Sequence, residues 1–217
     1  MKANGPIGWV FTDRSHGDLA VGGAPEALAA RRAGIVDAPW TWLRQEHGAQ
    51  VCTVVEPGDH AGTGADGLVT ATPGAVLAVQ TADCAPVLWM GDGVVGVAHA
   101  GWRGLVAGVI EATAAAMAAA GSAPNRARLG PCIRSRCYEF GESDLATVEA
   151  RFGPVVRSTT ASGTPALDVS AAVSAACAAL GVRLDDDGTC TACSPNHWSH
   201  RARVDTSRQA LVAWIQP

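Results

Sequence analysis

The amino-acid sequence predicts an α/β (α+β) fold, with mixed β-sheets flanked by helices in a single layered domain that spans residues 1–217. Two observations predict this class. Strand-like apolar segments are interspersed with alanine-rich helical segments along the chain. The chain has 217 residues, of which 48% are hydrophobic and 17% charged, so it is long enough for one substantial core and too apolar for a disordered protein.

The strands are predicted from apolar composition and from the turn residues that bound them. Strands are expected at residues 8–13, 50–58, 67–70, 75–90, 93–101, 127–133 and 207–215. The segment 75–90 is apolar at nearly every position, which is typical of a strand buried on both faces. Because proline cannot donate to a strand ladder, we expect an irregularity at Pro86.

The helices are predicted from runs of alanine and from the glycines that follow them. Helices are expected at residues 104–120, 142–153 and 168–181. Gly121 ends the first of these segments, and either Asp168 or Ser170 is a suitable N-cap for the last. Strands and helices are therefore mixed along the chain, without a repeat or a long linker.

The charge pattern and the cysteine content limit the class of protein. The net charge is −4, and the 16 basic residues form no run, which argues against nucleic acid as a partner but leaves room for a small anion. No segment has the roughly 18 uninterrupted apolar residues of a membrane helix, and the N-terminus lacks the features of a signal peptide. Seven scattered cysteines suggest reduced thiols, with disulfides the less favoured alternative. We expect a cytoplasmic protein that binds no membrane.

Three potential metal ligands lie at the edges of predicted strands: His47, Cys84 and His99. Each alone has a structural interpretation, as a surface histidine, an inert buried thiol or a core histidine. Together, two imidazoles and one thiolate suit a catalytic Zn²⁺ with an open fourth position, and copper is the less favoured alternative. Asp66 and Asp83 either orient these ligands or are turn residues, and we take the turn as the default for Asp66.

The remaining cysteines offer weaker signals. Cys190 and Cys193 have the spacing of a redox or zinc-ribbon pair, but no second such pair follows, so we set both interpretations aside. Cys132 and Cys137 do not have this spacing, and we interpret Cys132 as a core residue.

The strings QEHGAQV, ADGLVT, QTADCAPVL, VAHAGWRGL and LGPCIRSRCYEFG occur in this order, before a closing block that begins CTACSPNHWSHRARVD. Together they resemble the laccase-domain, or purine nucleoside phosphorylase, family (YfiH-like), formerly called the multicopper polyphenol oxidase family. The resemblance covers about four-fifths of the chain. It implies a fold related to the catalytic domain of cytotoxic necrotizing factor, and zinc ligands at His47, Cys84 and His99.

The resemblance also implies phosphorolysis of adenosine, inosine, guanosine and methylthioadenosine, together with deamination of adenosine. Because the guanidinium group is well shaped for phosphate, we expect Arg103, Arg201 and Arg208 to bind phosphate or substrate. Arg103 stands between glycines at the predicted start of a long helix, which also favours anions. Arg14 matches a family position, although the segment after it, SHGDLAVGG, is shorter than in the family. We expect a monomer or a homodimer.

Two other functions are alternatives to phosphorolysis. The first, a multicopper oxidase, is the less favoured, because it needs many more histidine ligands than the six histidines of this chain can supply. Peptidoglycan editing on muropeptide precursors would use Cys84 as a hydrolase nucleophile beside a histidine, and the residues alone do not separate it from phosphorolysis.

Overall fold

A computed structural model describes residues 6–217 of the chain. The strands are β1 Ile7–Phe11, β2 Trp40–Arg44, β3 Val51–Val54, β4 Thr63–Gly64, β5 Gly67–Thr70, β6 Val76–Thr81, β7 Ala85–Met90, β8 Val95–Ala100, β9 Arg126–Leu129, β10 Arg157–Thr159, β11 Pro165–Leu167, β12 Arg183–Asp186 and β13 Gln209–Ile215. The helices are α1 Pro25–Ile35, α2 Trp102–Ala107, α3 Val109–Ala119, α4 Glu142–Phe152, α5 Val169–Ala179 and α6 His200–Arg203. Short 3-10 turns occur at Arg14–His16, Ser135–Cys137 and Pro154–Val156.

The strands form two large mixed sheets and one small ribbon. The first sheet has the order β1-β13-β6-β2-β4, and the second has the order β12-β9-β7-β8-β5-β3. Strands β10 and β11 form the antiparallel ribbon. The mixture of parallel and antiparallel pairs, with helices on the outside, confirms the predicted fold class.

The two large sheets pack face to face. Because side chains alternate between the two faces of each strand, each sheet contributes one set of side chains to the core between the sheets. Leu77 of the first sheet belongs to the same buried cluster as Leu88 of the second. The opposite face of the first sheet packs against α1 through Leu28, and the opposite face of the second sheet packs against α2 to α5, where Trp89 is fully buried. Each fully buried leucine stabilises this arrangement by about 1.5–3 kcal/mol.

The predicted strand at 75–90 is two strands, so this prediction was wrong in its extent. The break lies at residues 82–84 rather than at Pro86, and it carries the chain from β6 in the first sheet to β7 in the second. Asp83 has a φ of 111°, a conformation that is rare for a residue with a side chain. Pro86 lies within β7, opposite His99.

The predicted helix at 104–120 is also divided. It begins earlier, at Trp102, and Gly108 separates α2 from α3 with a left-handed φ of 94°. The predicted N-cap of the later helix is confirmed at Asp168, whose carboxylate accepts a hydrogen bond from the backbone N–H of Ala171 at 2.9 Å. Ser170 is not the cap, because its hydroxyl donates to Asp168 instead.

Within residues 6–217, no helix combines the length and the apolar character that crossing a membrane requires.

Candidate active site

The structure brings together the three side chains that the sequence singled out as metal ligands. His47 lies in the loop between β2 and β3, Cys84 directly precedes β7, and His99 is the penultimate residue of β8. The Cys84 Sγ atom lies 3.8 Å from His47 Nε2, and all three ligand atoms lie within 4.8 Å of one another. His99 is buried, Cys84 is half-buried and His47 is exposed, so the group opens to solvent on one side.

Strand pairing explains why these side chains meet. The antiparallel register of β7 and β8 places Ala85 opposite Ala100, so Cys84 emerges beside Gly101. A Cβ atom at Gly101 would lie 2.7 Å from His47 Cδ2 and 3.2 Å from Cys84 Sγ. Only glycine therefore leaves room for the two ligands to approach each other at this strand end.

Asp66 is a shared acceptor for two of the candidate ligands. Its fully buried carboxylate lies 2.8 Å from His99 Nδ1 and accepts hydrogen bonds from the backbone N–H groups of His47 at 3.0 Å and Gly48 at 2.7 Å. The default interpretation of Asp66 as a turn residue was wrong. Because Nδ1 of His99 faces the carboxylate, its Nε2 is left for a metal or for Cys84.

The charges of this group support one another. Burial disfavours the charged forms of both Cys84 and His99, but their mutual attraction and hydrogen bonds with His47 and Asp66 outweigh it. The pKa of the Cys84 thiol is therefore lowered and the pKa of His99 is raised. Burial likewise opposes ionisation of Asp66, but the hydrogen bonds from His99 and from the backbone N–H groups lower the pKa of this carboxyl. The thiolate is the form of cysteine that binds metals.

The geometry of the group fits a single zinc ion. A tetrahedral Zn²⁺ with ordinary bonds to sulfur and nitrogen separates these two atoms by about 3.6 Å. The observed separation of 3.8 Å between Cys84 Sγ and His47 Nε2 is close to this value. Three protein ligands would leave a fourth position for water or substrate, as in catalytic zinc sites, and the exposure of His47 gives solvent access to the group.

A cavity of about 560 Å³ adjoins the three ligands. Its wall is formed by residues of the N-terminal segment, of β2 and β6 and of the C-terminal segment, several of them polar or charged. The lining residues besides the ligands include Ala20, Val21, Gly22, Arg44, Gln45, Gln80, Thr81, His200, Thr206 and Arg208. Residues 20–22 of the SHGDLAVGG segment therefore form part of this wall.

Of the four predicted arginines, Arg208 lines this cavity. Its Nη1 atom donates to the backbone carbonyls of Asp205, Thr206 and Ser207 at 3.2, 3.0 and 2.9 Å. Within the described residues, its Nε and Nη2 atoms form no hydrogen bond. One edge of the guanidinium is thus fixed and the other is available to an anion.

The other three arginines lie elsewhere. Arg103 and Arg201 line a neighbouring cavity of about 690 Å³ together with Glu139 and Asp144. Arg201 donates to the Glu139 carbonyl at 2.6 Å. Arg103 stands at the start of a six-residue helix, so its placement at the beginning of a long helix was wrong. Arg14 lies outside the lining of both cavities.

Arg14 and Asp83 bind the C-terminal block of the chain. Arg14 donates to Asp205 at 2.9 Å. The buried carboxylate of Asp83 accepts hydrogen bonds from the Thr191 hydroxyl at 2.6 Å and from the Arg201 backbone N–H at 2.7 Å. Asp83 therefore holds the turn that carries Cys84 against the C-terminal block.

Sequence reasoning gave no role to His200, Thr206, Gln80 or Arg44, although all four line the cavity of the candidate site. His200 stands in the closing block, which was the one available signal for it. The core position of Cys132 is confirmed, since it is fully buried.

Comparisons with known proteins agree with this fold. A family described as "Multi-copper polyphenol oxidoreductase laccase" matches residues 16–216. A protein named purine nucleoside phosphorylase from Streptomyces coelicolor is 43% identical, with 94% of each chain covered. Another of that name, from Streptomyces griseus, is 42% identical and covers 97% of this chain and 95% of its own. One from Mycobacterium tuberculosis is 39% identical over 90% of this chain and 82% of its own.

Two solved structures share the fold. A Neisseria meningitidis protein of family DUF152 superposes with a TM-score of 0.84 at 28% identity, over 97% of this chain and 95% of its own. YlmD from Geobacillus stearothermophilus superposes with a TM-score of 0.83 at 25% identity, over 99% of this chain and 93% of its own.

Proposed function

The chain belongs to the family described as multi-copper polyphenol oxidoreductase laccase, and we propose that it is a zinc-dependent purine nucleoside phosphorylase that also deaminates adenosine. The relatives named purine nucleoside phosphorylase support this activity. One observation of the structure supports it most directly: the three candidate ligands and Arg208 face the same cavity of about 560 Å³. This volume is in the range of small-molecule sites and suits a nucleoside with phosphate. The substrates we propose are adenosine, inosine, guanosine and methylthioadenosine.

His47, Cys84 and His99 are the residues that would hold the zinc ion. When bound, zinc would supply Lewis-acid activation of water near neutral pH, which deamination of adenosine needs. The chain supports this role through Asp66, whose carboxylate fixes the ring of His99 and the backbone of His47. Supporting groups of this kind orient ligands and raise their basicity.

Phosphorolysis exchanges one bond at the sugar for another. A phosphate oxygen bonds to the anomeric carbon, the bond to the purine nitrogen breaks, and the base leaves with the electron pair and takes up a proton. Positive charge develops on the sugar during this exchange, so an anion held beneath the ring stabilises the transition state. We assign the holding of phosphate to the free edge of Arg208, with Arg44 and His200 on the same cavity wall.

The oxidase function implied by the family's description is less well supported by the ligands. The chain has six histidines, of which two belong to the His-Cys-His group. A multicopper centre needs several histidine-rich ligand sets, whereas this group supplies donors for one ion.

The contact of 3.8 Å between Cys84 and His47 supports one alternative. A thiol beside a histidine is also the arrangement of a cysteine hydrolase, as peptidoglycan editing would require. In that case Cys84 would form a covalent intermediate, and phosphate would have no effect on the rate.

The test is an assay of purified, zinc-loaded protein on the four nucleosides, with and without phosphate. We expect ribose 1-phosphate, or its methylthio counterpart, only when phosphate is present, and inosine from adenosine in either condition. Cys84→Ser should remove both activities, whereas Cys52→Ser, a half-buried thiol outside the cavity lining, is the matched control. Turnover of muropeptides without phosphate, or oxidation of phenols by the copper-loaded protein, would support an alternative instead.

A further inference from the structure

A second group of sulfur atoms lies apart from the His-Cys-His group. Cys137 ends the 3-10 turn Ser135–Cys137, and Cys190 and Cys193 belong to the turn after β12. The Cys137 and Cys193 sulfurs are 3.3 Å apart, and all three sulfurs lie within 4.8 Å of one another. All three are free thiols. Residues 137, 190 and 193 form what we call the three-cysteine cluster.

The turn that carries Cys190 and Cys193 is held firmly in place. Its Thr191 is fully buried, donates its hydroxyl to Asp83 at 2.6 Å and donates its backbone N–H to the Cys132 carbonyl at 3.1 Å. The backbone N–H of Ser194 closes the turn on the Cys190 carbonyl at 2.9 Å. The cysteines are therefore positioned by the fold, as ligands on a rigid support should be.

The three-cysteine cluster is accessible from solvent. Cys193 is exposed, so an ion can reach the cluster from solvent.

We propose that the three-cysteine cluster binds a thiophilic metal ion such as Zn²⁺. Sulfur atoms bonded to one such ion at ordinary length are separated by about 3.8 Å. The sulfurs of Cys137 and Cys193 are 3.3 Å apart, and no pair in the cluster is separated by more than 4.8 Å. A set of three thiolates without imidazole or carboxylate selects soft ions over Mg²⁺ or Ca²⁺. Solvent on the exposed side of Cys193 completes the coordination. This site is separate from the proposed active site and does not rest on the proposed function.

The experiment uses Cd²⁺ as the probe, because its bonds to thiolates give a charge-transfer absorption in the ultraviolet. Full-length Cys84→Ser protein removes the thiolate of the His-Cys-His group, so that the absorption reports only the remaining thiols. We expect reduced Cys84→Ser protein to bind about one Cd²⁺ per chain with this absorption. Adding Cys193→Ser should abolish stoichiometric binding, whereas adding Cys52→Ser should leave it unchanged.

Circular dichroism identifies variants that fail to fold, and Cys137→Ser is a second variant that removes one ligand. The proposal is overturned if folded, reduced Cys84→Ser protein shows no thiolate absorption with Cd²⁺. It is also overturned if the absorption survives both Cys193→Ser and Cys137→Ser. Purified protein could instead contain a disulfide between Cys137 and Cys193. If reduction of this disulfide yields protein without affinity for Cd²⁺, the cysteines form a redox pair and the metal site is overturned.

Discussion

The His-Cys-His group and the three-cysteine cluster each offer three ligand atoms within 4.8 Å, but the fold builds them differently. In the first, Cys84 and His99 lie at strand ends of the second sheet and His47 lies in the loop between β2 and β3. The buried carboxylate of Asp66 supports two of these ligands. The second stands on a 3-10 turn and a loop, with Cys193 exposed. The first group adjoins the cavity of about 560 Å³, whereas Cys137 lines the neighbouring cavity.

This difference suits the two groups to different roles. A site with mixed ligands, an open position and an acceptor behind one ligand has the features of catalytic metal sites, whereas a set of thiolates alone is typical of structural ones. Asp83 joins the two groups, since it precedes Cys84 and its carboxylate binds Thr191 between Cys190 and Cys193. Substitutions that remove the support of one group, of both groups, or of neither therefore test whether the two groups are built independently.

Asp66→Ala should have the largest effect, and it should act on the His-Cys-His group alone. The change leaves the partly buried N–H donors of the 46–48 loop and the buried His99 without their acceptor, which should lower the free energy of unfolding by about 3–5 kcal/mol. Urea denaturation of the metal-free protein measures this loss. Asp92→Ala, at an exposed turn, is the control and should change stability by less than about 0.5 kcal/mol.

For folded protein, zinc affinity at the His-Cys-His group should fall about 10–100-fold in Asp66→Asn, because the amide is a weaker acceptor for His99. Binding of Cd²⁺ at the three-cysteine cluster should not change. A variant that kept full zinc affinity would show that Asp66 supports the fold only.

Thr191→Val should affect both groups. It keeps the shape of the side chain but leaves Asp83 Oδ1 without its hydrogen bond of 2.6 Å, which should cost about 1–3 kcal/mol in urea denaturation. Both metal affinities should weaken together, because the bond joins the turn of Cys84 to the turn of Cys190. Thr147→Val, on the exposed face of α4, is the matched control. A loss at one group alone would contradict the link.

Arg208→Lys should act on phosphate without changing either metal affinity. Lysine keeps the charge but loses the planar edge that faces the cavity, so the KM for phosphate should rise about tenfold or more. Arg14→Lys is the control, because Arg14 lies outside the cavity lining and its KM for phosphate should be unchanged. Equal effects of the two changes on kcat, with KM constant, would point to a structural role for both.

The sequence predicted the His-Cys-His group because its members lie at the edges of predicted strands and in motif strings with a specific order. For Asp66 it offered orientation of a ligand as an alternative but favoured a turn, since an Asp-Gly pair ordinarily marks one. Only the pairing of β5 with β8 brings its carboxylate to His99. The three-cysteine cluster was also missed. Cys137 lies more than 50 residues from Cys190, so no local spacing could reveal that the two turns meet.

The predicted fold class was correct because hydrophobic runs and alanine-rich segments are local signals. The breaks at Asp83 and Gly108 were missed because they depend on the tertiary path of the chain, which local sequence signals do not reveal. At Asp83 it passes from one sheet to the other, and this tertiary requirement overrides the apolar run. The helix α1 has a single buried residue, Leu28, and its weak pattern gave no signal.

The smallest effect should come from Asp186→Asn, which lies near the three-cysteine cluster. Burial opposes ionisation of Asp186, but the two hydrogen bonds from Arg134, at 2.7 and 2.6 Å, outweigh it and lower the pKa of this carboxyl. A lowered pKa stabilises the fold above the ordinary aspartate value, and this contribution is lost as the pH falls through the lowered pKa. The variant should be less stable at neutral pH by at most about 1 kcal/mol, because the pair is partly exposed.

Urea denaturation of the two proteins across the acidic range checks this sign. The difference between wild type and Asp186→Asn should shrink as the pH falls below the ordinary value for aspartate. A difference that grew on acidification would contradict it.

The assignment of the His-Cys-His group as the catalytic centre is tested most directly by a zinc titration of phosphorolysis. The titration uses Cys137→Ser/Cys193→Ser protein, which lacks two sulfurs of the three-cysteine cluster. Zinc is added to the metal-free variant in the presence of inosine and phosphate, and the release of ribose 1-phosphate is followed. We predict that the rate of phosphorolysis rises until about one zinc ion is bound per chain and then stays constant. We also predict that adding Cys84→Ser abolishes both the binding and the rate. Full phosphorolysis without metal, or a rate that does not depend on Cys84, would contradict the assignment of the His-Cys-His group as the catalytic centre.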